Sequence, residues 1–128
     1  MKKILIADDS KFIRTKIIET LSKNGYNDCY FATNGEELIK MAEEIKPNVI
    51  IADITMEKYD GIEAMKILKK GGCQSKFLIC SARNDMLRES IEAGADDFVL
   101  KPYSETEFIK VINNIIKWCG GLYGEVFS

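Results

Sequence analysis

Four apolar runs in this chain each end on a residue that can do chemistry. Ile4-Leu5-Ile6-Ala7 runs into Asp8 and Asp9, and Val49-Ile50-Ile51-Ala52 runs into Asp53. Phe77-Leu78-Ile79-Cys80 ends in Ser81, and Phe98-Val99-Leu100 ends in Lys101. Runs of this kind, without polar alternation, read as strands covered on both faces, Val49 to Ala52 being the central one. Open parallel sheets bind ligands beyond the carboxyl ends of their strands. Three carboxylates, a hydroxyl and an ammonium are therefore expected at one edge. Crowded carboxylates raise the pKa of at least one member or recruit a cation. With no histidine in the chain and no thiol in the cluster, every ligand is oxygen. That favours a hard cation, and Mg²⁺ takes one or two carboxylates, a phosphate oxygen and several waters. Ser81 can donate to a phosphoryl oxygen and Lys101 can neutralise charge there. The set describes phosphoryl transfer with a carboxylate as acceptor.

Taken singly, each residue has a blander reading, since an acid after a strand is commonly a turn former or a helix cap. Placement at the ends of four strands is what sets the group apart. Other chemistries are excluded. Without histidine or a C-x-x-C pair there is no Cys/His zinc site and no Ser-His or Cys-His nucleophile. The four cysteines are expected as small buried hydrophobes. A net charge of −2 and a pI near 5.3 give no basic footprint for nucleic acid or an anionic membrane. No apolar run approaches the roughly 18 residues of a membrane span. Met1-Lys2-Lys3 starts like a signal peptide, but Asp8 and Asp9 interrupt the apolar segment. The chain is expected in the cytoplasm.

The intervening segments supply the frame. Asp9 or Ser10 caps a helix reaching about Lys23, with Ile13, Ile17, Ile18 and Leu21 on its apolar face, closed by Asn24-Gly25. Residues 29–32 form a short strand. Asn34 caps a helix whose inner stripe is Leu38, Met41, Ala42 and Ile45, stopped by Pro47. A loop over 54–60 leads to Asp60-Gly61 and a helix with Ile62, Met65 and Ile67 or Leu68 inward, closed by Gly71-Gly72. The fourth strand covers 76–81. A modest helix from 84 to 93 is expected to turn Met86, Leu87 and Ile91 inward, and Gly94 ends it. The fifth strand covers 97–100, and Ser104 caps a last helix carrying Phe108, Ile112, Ile115 and Ile116. Five alternations of strand and helix predict a doubly wound parallel sheet of the α/β class. At 128 residues one domain is expected over 1–119, followed by an irregular tail over 120–128.

The motifs together resemble the receiver domain of two-component response regulators. The resemblance rests on Asp8-Asp9, on Asp53 with Met56 and Asp60-Gly61 after it, on Ser81-Ala82, and on the run from Ala93 to Tyr103. It covers about residues 2–118. It implies a flavodoxin-like strand order of 2-1-3-4-5, which the strand pattern alone does not fix. It implies that Asp53 is the phosphoacceptor. Asp9, Asp53 and the Thr55 carbonyl would hold Mg²⁺, with Asp8 acting through water. Ser81 and Lys101 would contact the phosphoryl group, and Phe98 would occupy the aromatic switch position. A cis peptide at Lys101-Pro102 is implied as well. The partners implied are a histidine kinase or phosphotransfer protein as donor, and a downstream protein that reads the face of the fourth helix, fifth strand and fifth helix. Asp8-Asp9-Ser10 with Arg14 and Ile17 is similar to chemotaxis-type members. One departure is Glu57, where the family usually has proline, which is expected to loosen the loop and add a fourth carboxylate near the site. A pseudo-receiver, folded but never phosphorylated, is disfavoured by the intact set of site residues, and two other readings compete. One is a receiver belonging to a longer transcription regulator. The other is a haloacid-dehalogenase-type phosphatase, which Asp53-Ile54-Thr55, Ser81 and Lys101 imitate, although its metal-binding acids should follow the lysine.

Overall fold

The computed structural model describes residues 2–117 and 119. The apolar runs become strands β1 (Lys3–Ala7), β2 (Asp28–Ala32), β3 (Val49–Ala52), β4 (Lys76–Ser81) and β5 (Asp97–Leu100). They pair in parallel in the order β2-β1-β3-β4-β5, a flavodoxin-like α/β sheet. Between them run α1 (Lys11–Lys23), α2 (Gly35–Ile45), α3 (Gly61–Lys70), α4 (Leu87–Glu92) and α5 (Glu105–Lys117). The expected tail over 120–128 lies outside the described residues.

Side chains alternate across a strand, so each apolar run supplies two cores. Leu5, Ala7, Ile50, Ala52, Phe77 and Ile79 face α2 and α3, meeting Leu38, Ala42, Ile62, Met65 and Leu68. Ile4, Ile6, Val49, Ile51, Leu78 and Cys80 face α1 and α5, meeting Ile17, Leu21, Phe108, Ile112 and Ile115. Burying one such isoleucine or leucine contributes about 1.5–3 kcal/mol, against about 1 kcal/mol for a helix cap. The sheet faces therefore hold the fold, and the caps decide where each helix begins. Ser10, not Asp9, caps α1 by accepting from the Ile13 amide at 3.2 Å. Asn34 accepts from Glu37, Asp60 and Glu63 form a reciprocal capping box, and Ser104 accepts from Glu107. Asp9 is left unencumbered by helix capping.

One element departs from expectation. The segment after β4 begins as a 3₁₀ turn over Asn84–Met86 and is α-helical only over Leu87–Glu92. Leu87 and Ile91 are 47% and 45% exposed, whereas Ser90 is fully buried. The inner stripe is Met86, Ser90 and Ala93. Ser90 tolerates burial because its hydroxyl donates to the Met86 carbonyl at 2.8 Å, one turn back. In α3 Leu68 is inward and Ile67 exposed. No helix among the described residues is long and apolar enough to cross a membrane.

Candidate functional site

Register brings the chemical residues together. Ala7 lies level with Ala52, and Ala52 with Ile79, so Asp8 and Asp53 leave the sheet side by side. The ladder continues into them: the Asp53 amide donates to Ala7 and the Asp8 amide to Ala32. The carboxylates of Asp8, Asp9 and Asp53 offer ligand oxygens within 4.8 Å of one another. Lys101 reaches across from the end of β5, its ammonium 3.4 Å from Asp8 Oδ2 and 3.7 Å from Asp53 Oδ2. The Lys101–Pro102 bond is cis.

The three acids differ in their surroundings. Asp8 is buried, and its Oδ1 accepts from the Ser10 amide at 2.9 Å. Asp9 is exposed. Asp53 is partly buried, with Oδ1 accepting from the Ile54 amide at 2.8 Å and Oδ2 turned to Lys101. Burial pushes the Asp53 carboxyl above its usual value, and the neighbouring Asp8 and Asp9 push the same way. Lys101 and the Ile54 amide pull it back without winning. Three carboxyl groups face one lysine here, an acidic excess on an all-oxygen donor set. Charge and donor type both fit a hard divalent cation.

Ser81 is buried, and its oxygen accepts from the Arg83 amide at 3.1 Å. It shares strand parity with Ile79, which lies level with Phe98. Ser81 and Phe98 thus project to the same side of the sheet, where Phe98 packs half-buried against the core. Thr55 is exposed in the loop leaving β3. Glu57 is exposed and lies outside the carboxylate cluster. Its carbonyl oxygen accepts from the Gly35 and Tyr59 amides, Lys58 bending the chain between them with φ 74°. The loop is tied to the start of α2, and a Cβ on Gly35 would collide with Tyr59. At its other end the Gly61 amide donates to Ile54, and a Cβ on Gly61 would collide with the Asp53 carbonyl.

Arg14 stands out in the sequence only through the chemotaxis-type likeness, and Phe31 not at all. The Arg14 guanidinium donates to the Asp8 carbonyl at 2.9 Å and lies 4.9 Å over the Phe31 ring. A signal for it existed, because side chains in a first helical turn lean back toward the helix N-terminus.

A family model described as the response regulator receiver domain matches residues 4–113. The chain belongs to that family. It is 36% identical over 118 residues to the chemotaxis protein CheY of Thermotoga maritima, spanning 91% of this chain and 98% of that one. The receiver domain of Francisella response regulator 1452 superposes with a TM-score of 0.85 at 33% identity, covering 91% and 98% of the two chains. CheY of Borrelia burgdorferi, in a CheX-CheY-BeF3-Mg²⁺ complex, superposes at 0.84 with 23% identity over 90% and 89% of the chains, a likeness of fold. A receiver is a two-component signalling phosphoacceptor and not a conventional enzyme. The phosphatase alternative is thereby set aside.

Proposed function

We propose that Asp53 accepts a phosphoryl group from the phosphohistidine of a histidine kinase or phosphotransfer protein, and that the chain passes the signal on through a protein-binding face. One observation carries the reading: three carboxylates lie within 4.8 Å of one another, with the Lys101 ammonium reaching both Asp8 and Asp53. Asp9, Asp53 and the Thr55 carbonyl would hold Mg²⁺, with Asp8 acting through water. Bound there, the ion would neutralise charge on the phosphoryl oxygens.

The chain's own residues do the rest. The Ile54 amide fixes one Asp53 oxygen, so the carboxylate presents the other to an incoming phosphorus. The new O–P bond forms as the donor's P–N bond breaks, and the imidazole leaves with the electron pair. Lys101 pairs with a phosphoryl oxygen, and Ser81 turns its hydroxyl to another. Phe98, on the same side of the sheet as Ser81, follows it inward. The output face would be that of α4, β5 and α5, where Leu87, Ile91 and Leu100 are exposed apolar side chains. The reading places the protein in the cytoplasm, contacting neither nucleic acid nor membrane directly, over a receiver spanning 1–119.

Acetyl phosphate with Mg²⁺ tests it. Intact mass should show one added phosphoryl group, absent without Mg²⁺ and absent in Asp53→Asn. Equal labelling of the Asn variant overturns the assignment of the acceptor.

A further inference from the structure

Asp8 leaves the sheet under unusually close restraint. Its amide donates to Ala32, its carboxylate accepts from Ser10 and faces Lys101, and its carbonyl oxygen accepts from Arg14 Nη1 at 2.9 Å. That carbonyl belongs to the planar peptide unit that also contains the Asp9 nitrogen and α-carbon. Whatever sets the direction of the carbonyl therefore sets where the Asp9 side chain starts. Arg14 is itself anchored. Its amide donates to Ser10 at 3.0 Å in the first turn of α1, and its guanidinium lies over Phe31 at the end of β2. One side chain thus braces the ends of β1 and β2 against the start of α1. Asp9, the exposed member of the acid cluster, hangs from the braced peptide.

We infer that Arg14, seated on Phe31, is a positioning residue that orients the Asp8–Asp9 peptide and so holds Asp9 toward Asp53 for the cation. The inference rests on the phosphoacceptor reading of the site. It also has a sign that a simple electrostatic role cannot imitate. A guanidinium near a cation site opposes the cation by Coulomb repulsion, so its charge alone predicts tighter Mg²⁺ binding when Arg14 is neutralised. Positioning predicts weaker binding.

The test uses the full chain as wild type, Arg14→Ala, Arg14→Lys and Phe31→Leu. Mg²⁺ is titrated by backbone amide shifts and calorimetry, thermal unfolding is followed in chelator, and acetyl phosphate labelling is measured at saturating Mg²⁺. Removing a group that orients a metal ligand costs 10–100-fold in affinity at directly bonded positions. Arg14→Ala, acting through one peptide, should lose about tenfold, at the low end of that range. Its labelling rate should return close to wild type once Mg²⁺ saturates. Arg14→Lys keeps a donor without the flat stacking group and should fall between the two. Phe31→Leu removes only the platform and should lose about two- to fivefold, the worth of an exposed cation–π contact. That surface change keeps the question open to experiment if Arg14→Ala does not fold. Unchanged or tighter Mg²⁺ binding in both Arg14→Ala and Phe31→Leu overturns the inference, as does a lowered melting temperature with unaltered affinity. If wild type itself shows no Mg²⁺ response around Asp53, the reading of the site falls, and the inference with it.

Discussion

At Asp53, burial and like charge outweigh one ammonium. The carboxyl's folded-state pKa is raised, chiefly by desolvation, then by Asp8 and Asp9 against Lys101 and the Ile54 amide. A raised acid pKa means the native state binds a proton more readily than the unfolded chain. Stability from this group therefore rises as pH falls through the folded pKa, and the gain is complete below the unfolded value. Above the folded pKa the penalty is present in full. Asp53→Asn removes the charge while its side-chain oxygen keeps the Ile54 hydrogen bond. In chelator at neutral pH, Asp53→Asn should melt higher than wild type, and the difference should shrink as pH is lowered through the window above the ordinary carboxylate value. A variant that melts lower at neutral pH would show that the Lys101–Asp53 pair outweighs the crowding. Asp8, Asp9, Asp53, Ser81 and Lys101 were visible in the sequence because each follows an apolar run. The contact between Arg14 and Phe31 was not, because it joins residues 17 positions apart across two elements.

Between elements, the question is how β4 reports to β5. On the proposed reading, Ser81 would give up one contact to gain another. In this structure its oxygen accepts from the Arg83 amide, a neutral hydrogen bond worth about 0.5–1.5 kcal/mol. A hydroxyl donated to a charged phosphoryl oxygen is worth about 1.5–3 kcal/mol, so such an exchange would favour the phosphorylated site. Movement of Ser81 would open volume on the side where Phe98 packs beside Ile79. Phe98 has no hydroxyl to fasten it inward, so only packing would hold it there, and a few kcal/mol of differential interaction would suffice to invert its preference. With beryllofluoride and Mg²⁺, amide shifts should spread from Asp53 to Leu87, Ile91 and Leu100. In Ser81→Ala they should stay confined to the site while Asp53 is fully occupied. An equal spread in Ser81→Ala would remove Ser81 from the coupling. The strands, helix caps and most inner stripes were legible because periodicity and capping are local. The inner face of α4 was not. Met86, Leu87 and Ile91 are the apolar residues there, but the protein buries Ser90, whose hydroxyl is satisfied one turn back, and exposes Leu87 and Ile91. Strand order was beyond the pattern of runs and came from the family resemblance.

For the molecule as a whole, the site and the sheet are one mechanical unit. The acids stand on β1 and β3, which with β4 fill both cores, so unfolding disperses the carboxylates and would take the candidate cation site with them. Anything that binds only the native cluster therefore stabilises the entire domain by mass action. At ten times its dissociation constant, Mg²⁺ should add about 1.4 kcal/mol. For a domain of this size that is a rise of roughly 4–6 °C in melting temperature. Part of any rise would come from screening of the acid cluster by salt, so the comparison must be made against sodium at equal ionic strength. Replacing Asp9 with Ala would remove a candidate ligand without opening a cavity, since Asp9 is exposed, and should erase most of the Mg²⁺-specific part. A wild-type melting temperature that follows ionic strength alone, with no difference between magnesium and sodium, would mean the three acids do not act as a cation site in the folded chain.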